Sequence, residues 1–181
     1  YKMRKSSQRD MLMIDFKNLK KIDFSLLIQK NNLISYFLII LTFSLDRVSK
    51  FKIINDYLDQ DRLYINDFVN FDLIWNTGIG FGLLSSNSSF IYHTTTFTIG
   101  LIISFLFYLM VKNHKIDKFF YSLILGGGLG NFYDRSVYLA VPDFIDIHYN
   151  NFHWFTFNIA DIFITVGIIM LLSKEIFKQK R

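Results

Sequence analysis

With 181 residues and no cysteine, the chain has the length of one domain and excludes disulfides, thiolate zinc sites, iron–sulfur clusters and a cysteine nucleophile. Its 51% hydrophobic and 18% aromatic content is too apolar for an ordinary soluble domain and predicts bilayer-embedded segments. The formal charge of +5 argues for nucleic acid only where basic residues gather on one surface, and here they are segregated along the chain.

Residues 1–30 read as a basic tail with Lys2, Arg4, Lys5, Arg9, Lys17, Lys20, Lys21 and Lys30. The first apolar run follows it and is therefore not expected to be a cleavable signal peptide. That run, "NNLISYFLIILTFSL", predicts a helix over about 32–50 that continues through "DRVSK". Residues 53–88 are the expected place of a small outer β-cradle. Within them Val69, Phe71, Leu73 and Trp75 alternate with Asn70, Asp72, Ile74 and Asn76, mostly the period of a strand with one apolar face.

The second run, "FIYHTTTFTIGLIISFLFYLMV", predicts a helix over about 90–111 and is the clearest span. Third and fourth helices are expected over about 117–136 and 158–175. Their apolar stretches are shorter than the roughly 20 residues a bare span needs, so they borrow flanking residues or shelter behind neighbours. Residues 31–177 thus read as one membrane-embedded domain, mainly α with four transmembrane helices, followed by a tail at 178–181.

Charge orients the spans. Lys112, Lys115 and Lys118 lie between the second and third, and Lys174, Lys178, Lys180 and Arg181 end the chain. With the basic tail, these segments are expected in the cytoplasm. The acidic segment 51–88, and 137–157 with Asp143 and Asp146 and no Lys or Arg, are expected outside. The basic residues are a topology signal, and no nucleic-acid partner is expected.

Several polar residues sit where the helices meet the outer surface. Asp46 and Lys50 are four apart, so they share a helical face and pair at membrane depth. In "GGGLGN", Gly126 and Gly130 form a G-x-x-x-G that admits a neighbouring helix; no nucleotide loop is present. Asn131, Asp134 and Arg135 follow at the end of the third span, where Asp134 and Arg135 close the helix or meet a charged substrate. Asp161 lies in the first turn of the fourth, where a carboxylate caps the helix or acts with a partner. Asp143, just after the only proline, offers that partner. Two carboxylates in a dry site cannot both ionise cheaply, so the pair supplies an acid and a base together.

Read in order, "DRVSK", "NTGIGFG", "GGGLGNFYDR", "VPDFID" and "FNIAD" resemble the motif series of lipoprotein signal peptidase, also called signal peptidase II, a family of bacterial aspartic membrane peptidases. The resemblance implies four transmembrane helices, both termini cytoplasmic, an outer β-cradle and an active site at the extracytoplasmic face of the inner membrane. It implies cleavage of the signal peptide from prolipoproteins just before a diacylglyceryl-modified cysteine, without cofactor or metal, by a monomer in contact with membrane lipids.

Carried over residue by residue, the catalytic pair falls on Asp143 and Asp161. Asn76, Asn131, Arg135 and Asn158 match substrate-binding positions, while Asp46, Lys50, Gly78, Phe81, Gly130 and Asp134 match structural support. Arg47, Ser49, Ile79, Gly80 and Gly128 depart from the family's usual residues, and none of these changes removes a carboxylate or amide that the chemistry needs.

Two other classes fit parts of the pattern. A metal-dependent hydrolase would draw ligands from Asp143, Asp146, His148, His153 and Asp161, but no H-E-x-x-H is present and the two histidines read as surface or interfacial. A transporter or channel would use membrane aspartates as a proton or cation relay, yet the charges here cluster at one face.

Overall fold

The computed structural model describes residues 27–57, 63–78, 89–150 and 152–179. In chain order these form α1 (Lys30–Tyr57), β1 (Leu63–Asn66), β2 (Val69–Asn76), α2 (Ser89–Lys112), α3 (Lys115–Val137), β3 (Val141–Tyr149), β4 (Phe152–Phe157) and α4 (Ile159–Gln179). The expected support residue Phe81 lies outside the described residues.

Between Asn32 and Lys50, α1 turns most of its polar residues inward. Asn32, Ser35, Ile39, Thr42, Asp46, Lys50 and Ile53 are buried at three- and four-residue spacing, while Leu33, Ile34, Phe37, Ile40, Leu41, Leu45 and Val48 are exposed. A helix in water would reverse this arrangement. Buried hydroxyls along the seam answer to their own backbone: Ser35 Oγ donates to Asn31 O and Thr42 Oγ1 to Leu38 O. Ser122 Oγ on α3 likewise donates to Lys118 O. Among the described helices, Ser89–Lys112 is long and apolar enough to cross a membrane by length and composition.

α3 packs against the other three helices. Its glycines permit the approach to α1. A Cβ on Gly126 would overlap Thr42 Oγ1, and one on Gly130 would overlap the Asp46 carboxylate. Two helices therefore meet over a hydroxyl and a charge where larger side chains would hold them apart. α1 and α2 leave between them an apolar groove of about 480 Å³ lined by Tyr36, Ile40, Ile103, Phe107 and Leu129. It contains no carboxylate.

The strands form one antiparallel sheet in the order β1-β2-β3-β4. Two features correct the expected cradle at 53–88. Residues 53–57 belong to α1, which runs past Lys50 to Tyr57, and half of the sheet comes from β3 and β4. The expected apolar face of β2 is also interrupted: a register shift lies between Phe71 and Ile74, Asn70 is buried, and Ile74 and Trp75 are exposed. The sheet places β3 beside β2 and delivers the chain from β4 through Asn158 into α4.

Candidate active site

Asn158 sits at the joint between sheet and helix. Its carbonyl accepts the Ile162 N–H, and its Oδ1 accepts the Asp161 N–H at 3.1 Å while its own N–H donates to Asp161 Oδ2 at 3.2 Å. This is a reciprocal capping box, with two otherwise orphaned donors satisfied at the helix start. The capping reading of Asp161 is thus geometrically correct, and it leaves Asp161 Oδ1 to another partner. Asn131 Nδ2 on α3 donates to that oxygen at 2.8 Å.

The same asparagine reaches the second carboxylate. Asn158 Nδ2 donates to Asp143 Oδ1 at 2.6 Å, and Asn76 Nδ2 on β2 donates to Asp143 Oδ2 at 2.9 Å. Asn76 is oriented in turn by the Gly78 N–H, 2.8 Å from its Oδ1. Both carboxylates are therefore tied to Asn158, that of Asp143 from a strand through the Asn158 side chain and that of Asp161 from a helix through the Asn158 main-chain N–H. Asp143 is only 4% exposed. Burial first, and then the Asp161 charge, push its carboxyl up to about 6 against the pull of both asparagines and of Lys50. A hollow of about 250 Å³ lined by Ile147, Phe155, Phe157, Asp161, Ile162, Thr165 and Val166 opens beside Asp161.

A buried ionic cluster stands behind this centre. Lys50 Nζ donates to Asp46 Oδ2 at 2.9 Å, to Asp134 Oδ2 at 2.6 Å and to Asn131 Oδ1 at 2.8 Å. Asp46 Oδ1 accepts the Ala160 N–H at 3.0 Å, so a carboxylate of α1 holds the positive end of α4. Arg47 pairs with Asp134 Oδ1 and lies 4.5 Å above the Tyr133 ring. By sequence Arg47 is only a departure from a motif, and this pairing is not legible there. Its partner is 87 residues away, and no local spacing signals it.

Arg135, expected to bind substrate, is buried and donates through Nη2 to the Gly78 carbonyl. Its Nη1 has no hydrogen-bond partner among the described residues. Asp146, His148 and His153 gather on the sheet instead of joining the two aspartates.

Comparison with known proteins decides the family. The signal peptidase (SPase) II family matches residues 38–177. The chain belongs to the signal peptidase II family. A lipoprotein signal peptidase of Pelagibacter ubique (strain HTCC1062) is 48% identical over 150 residues, 82% of this chain and 90% of its own. One from Francisella tularensis subsp. mediasiatica (strain FSC147) is 40% identical over 154 residues, covering 82% and 95%. Two structures described as bacterial membrane enzymes, solved in meso, are similar. The first has a TM-score of 0.70 at 29% identity, covering 81% of this chain and 89% of that one. The second has 0.65 at 28%, covering 78% and 91%. This signal peptidase II family member is a peptidase of a bacterial membrane, mostly helical with a small antiparallel sheet. Its polar-inside, apolar-outside α1 is the arrangement that lipid favours.

Proposed function

We propose that the chain is a membrane aspartic endopeptidase that removes signal peptides from diacylglyceryl-modified prolipoproteins, cleaving just before the lipidated cysteine. Asp143 and Asp161 are its catalytic pair. The observation that carries the assignment is Asn158, which donates to both carboxylates, to Asp143 through Nδ2 and to Asp161 through its main-chain N–H, at one joint of the fold. Asn76, Asn131 and Arg135 surround them as substrate-binding groups, and the Arg135 Nη1 donor, without a partner among the described residues, suits a substrate carbonyl.

In the reaction one aspartate, ionised, takes a proton from water as the oxygen attacks the scissile carbonyl carbon. The other, protonated, donates a hydrogen bond to the developing oxyanion. Collapse of the tetrahedral intermediate breaks the C–N bond, and the departing amine receives the proton first taken from water. No covalent enzyme intermediate forms.

All four helices span the membrane in this reading, with both termini cytoplasmic and the aspartates at the outer face of the inner membrane. Even α4, with 21 residues, is about 31 Å long at 1.5 Å per residue, against about 30 Å of hydrocarbon. The single domain covers residues 31–177 and works as a monomer among lipids. A relay through the bilayer is disfavoured by the hydroxyls of Ser35, Thr42 and Ser122, which donate to their own helices.

The test is cleavage of a diacylglyceryl-modified prolipoprotein by the purified protein in detergent, with Asp143→Asn and Asp161→Asn beside the parent, each with and without a chelator. The parent cuts in both conditions, and each variant folds but loses at least about a thousandfold in rate. Activity surviving in both variants, or lost to chelator and restored by zinc, rejects the dyad.

A further inference from the structure

One cluster of ligand-type side chains stands apart from the dyad. Asp146 and His148 are two residues apart on β3, so they point to the same face of the sheet. Asp143, Ile145 and Ile147 alternate to the other face, and Ile147 lines the hollow beside Asp161. His153 on β4 is the cross-strand partner of His148, and Asn70 on β2 is the partner of Asp146. Three strands thereby bring two imidazoles, a carboxylate and an amide to one place.

The distances suit a shared ion. Asp146 Oδ2 is 2.7 Å from His153 Nδ1 and 3.9 Å from His148 Nδ1. The imidazole rings stack with centroids 5.3 Å apart and 22° between their planes. One donor atom from each of the three residues lies within 4.8 Å of the others. Bonds of about 2.0–2.2 Å at tetrahedral angles set donors about 3.3–3.6 Å apart, so side-chain adjustments that close the widest pair by at most about 1.5 Å enclose a cation.

Burial adds a second, independent observation. Asn70 is 4% exposed, its Nδ2 is 3.3 Å from His148 Nδ1, and its Oδ1 has no hydrogen-bond partner among the described residues. A buried amide oxygen without a partner is costly. Asn70 meets the cluster through its Nδ2, so a turn of the amide about its Cβ–Cγ bond brings the oxygen in as a potential fourth ligand. Asp146 and His148 are themselves buried, so of the two histidines expected at a surface or an interface His148 is not at the protein's surface, while His153 is exposed.

We infer that Asp146, His148 and His153, with Asn70 beside them, form a binding site for one divalent transition-metal ion of the zinc class on the sheet face opposite the catalytic aspartates. Two imidazoles and a carboxylate suit zinc and its neighbours and are poor for calcium or magnesium, which take oxygen ligands. The bound ion clamps β3 to β4. It takes no part in peptide hydrolysis.

The experiment is titration of the tag-free, chelator-washed protein in detergent with Zn²⁺ against a chromophoric competitor, with Co²⁺ as a spectroscopic probe. One equivalent binds, Co²⁺ shows the visible bands of a nitrogen- and oxygen-ligated site, and excess Zn²⁺ raises the unfolding temperature by about 5 °C. His148→Ala and the exposed-site variant His153→Gln each weaken binding at least tenfold. Asp143→Asn leaves it unchanged. Failure to bind one equivalent, affinity equal in both histidine variants and parent, or loss of binding in Asp143→Asn overturns the assignment. His153→Gln replaces an exposed side chain, so misfolding does not imitate the expected loss.

Discussion

Lys50 Nζ lies 2.8 Å from Asn131 Oδ1, while Asn131 Nδ2 lies 2.8 Å from Asp161 Oδ1. Lysine has donors and no acceptor, so the amide oxygen must face Lys50 and its NH₂ must face Asp161. The cation thereby determines which end of Asn131 the carboxylate meets.

Lys50→Met tests that arrangement. Lys50 is completely buried and all three of its donors are used. Its removal leaves Asp46 with only the Ala160 N–H and Asp134 with Arg47 among the partners described above. Breaking a buried ionic set in this way costs about 3–5 kcal/mol, which corresponds to a fall of roughly 10 °C in unfolding temperature for a chain of this size. Thermal unfolding in detergent reads it. A fall of only 1–2 °C would mean that water already solvates these charges.

Gly127 and Gly128 are neighbours in α3 with opposite tolerance. A Cβ on Gly127 would overlap the Ala160 carbonyl oxygen, one residue before Asp161, whereas a Cβ on Gly128 would come no closer than 3.6 Å to Ile103 Cγ1. Gly127→Ala therefore pushes α4 away, destabilises by about 1–3 kcal/mol and depresses cleavage. Gly128→Ala is neutral or stabilises by up to about 1 kcal/mol through helix propensity. Measuring both unfolding temperatures checks the α3–α4 approach, and equal effects would refute it.

The sequence made the helices readable and left half of the sheet hidden. In α1 the polar residues recur every three or four positions, so Asp46 and Lys50 fall on one face by spacing alone. β3 has no such signal. "VPDFIDIHY" carries Asp143 on one face and Asp146 with His148 on the other, so polar and apolar residues do not alternate as they do in a half-buried strand. Asn158 shows what motif order misses: its position is legible, but its bonds to both aspartates depend on how β3 meets α4.

Asp143 predicts a pH dependence of stability. Its folded carboxyl is raised to about 6 from 3.8, so the folded state binds the proton more tightly than the unfolded chain. The resulting stabilisation is complete below about pH 3.8 and is lost as pH rises through about 6. A shift of this size is worth roughly 3 kcal/mol over that window. Asp143→Asn cannot titrate, and any mismatch with Asn76 or Asn158 adds a pH-independent offset. The unfolding temperature of variant minus parent should therefore climb from pH 4 to pH 7. A flat difference would show that Asp143 titrates alike in both states.

Asn158 separates capping from its contact with Asp143. Asn158→Ser retains an oxygen that accepts the Asp161 N–H, so the α4 cap survives, but it removes the donor 2.6 Å from Asp143 Oδ1. Asn158→Ala removes both and should be about 1 kcal/mol less stable than the serine variant. Both lose roughly a hundredfold in cleavage rate, because Asp143 is no longer held against its partner. The pH profile makes the distinction sharper. If the proposed dyad carries one proton when active, kcat/KM of the parent falls above the pair's upper apparent pKa. The Asn158 donor favours the charged form of Asp143, so losing it moves that descending limb to higher pH in both variants. A lower rate with an unmoved limb would make Asn158 a helix cap alone.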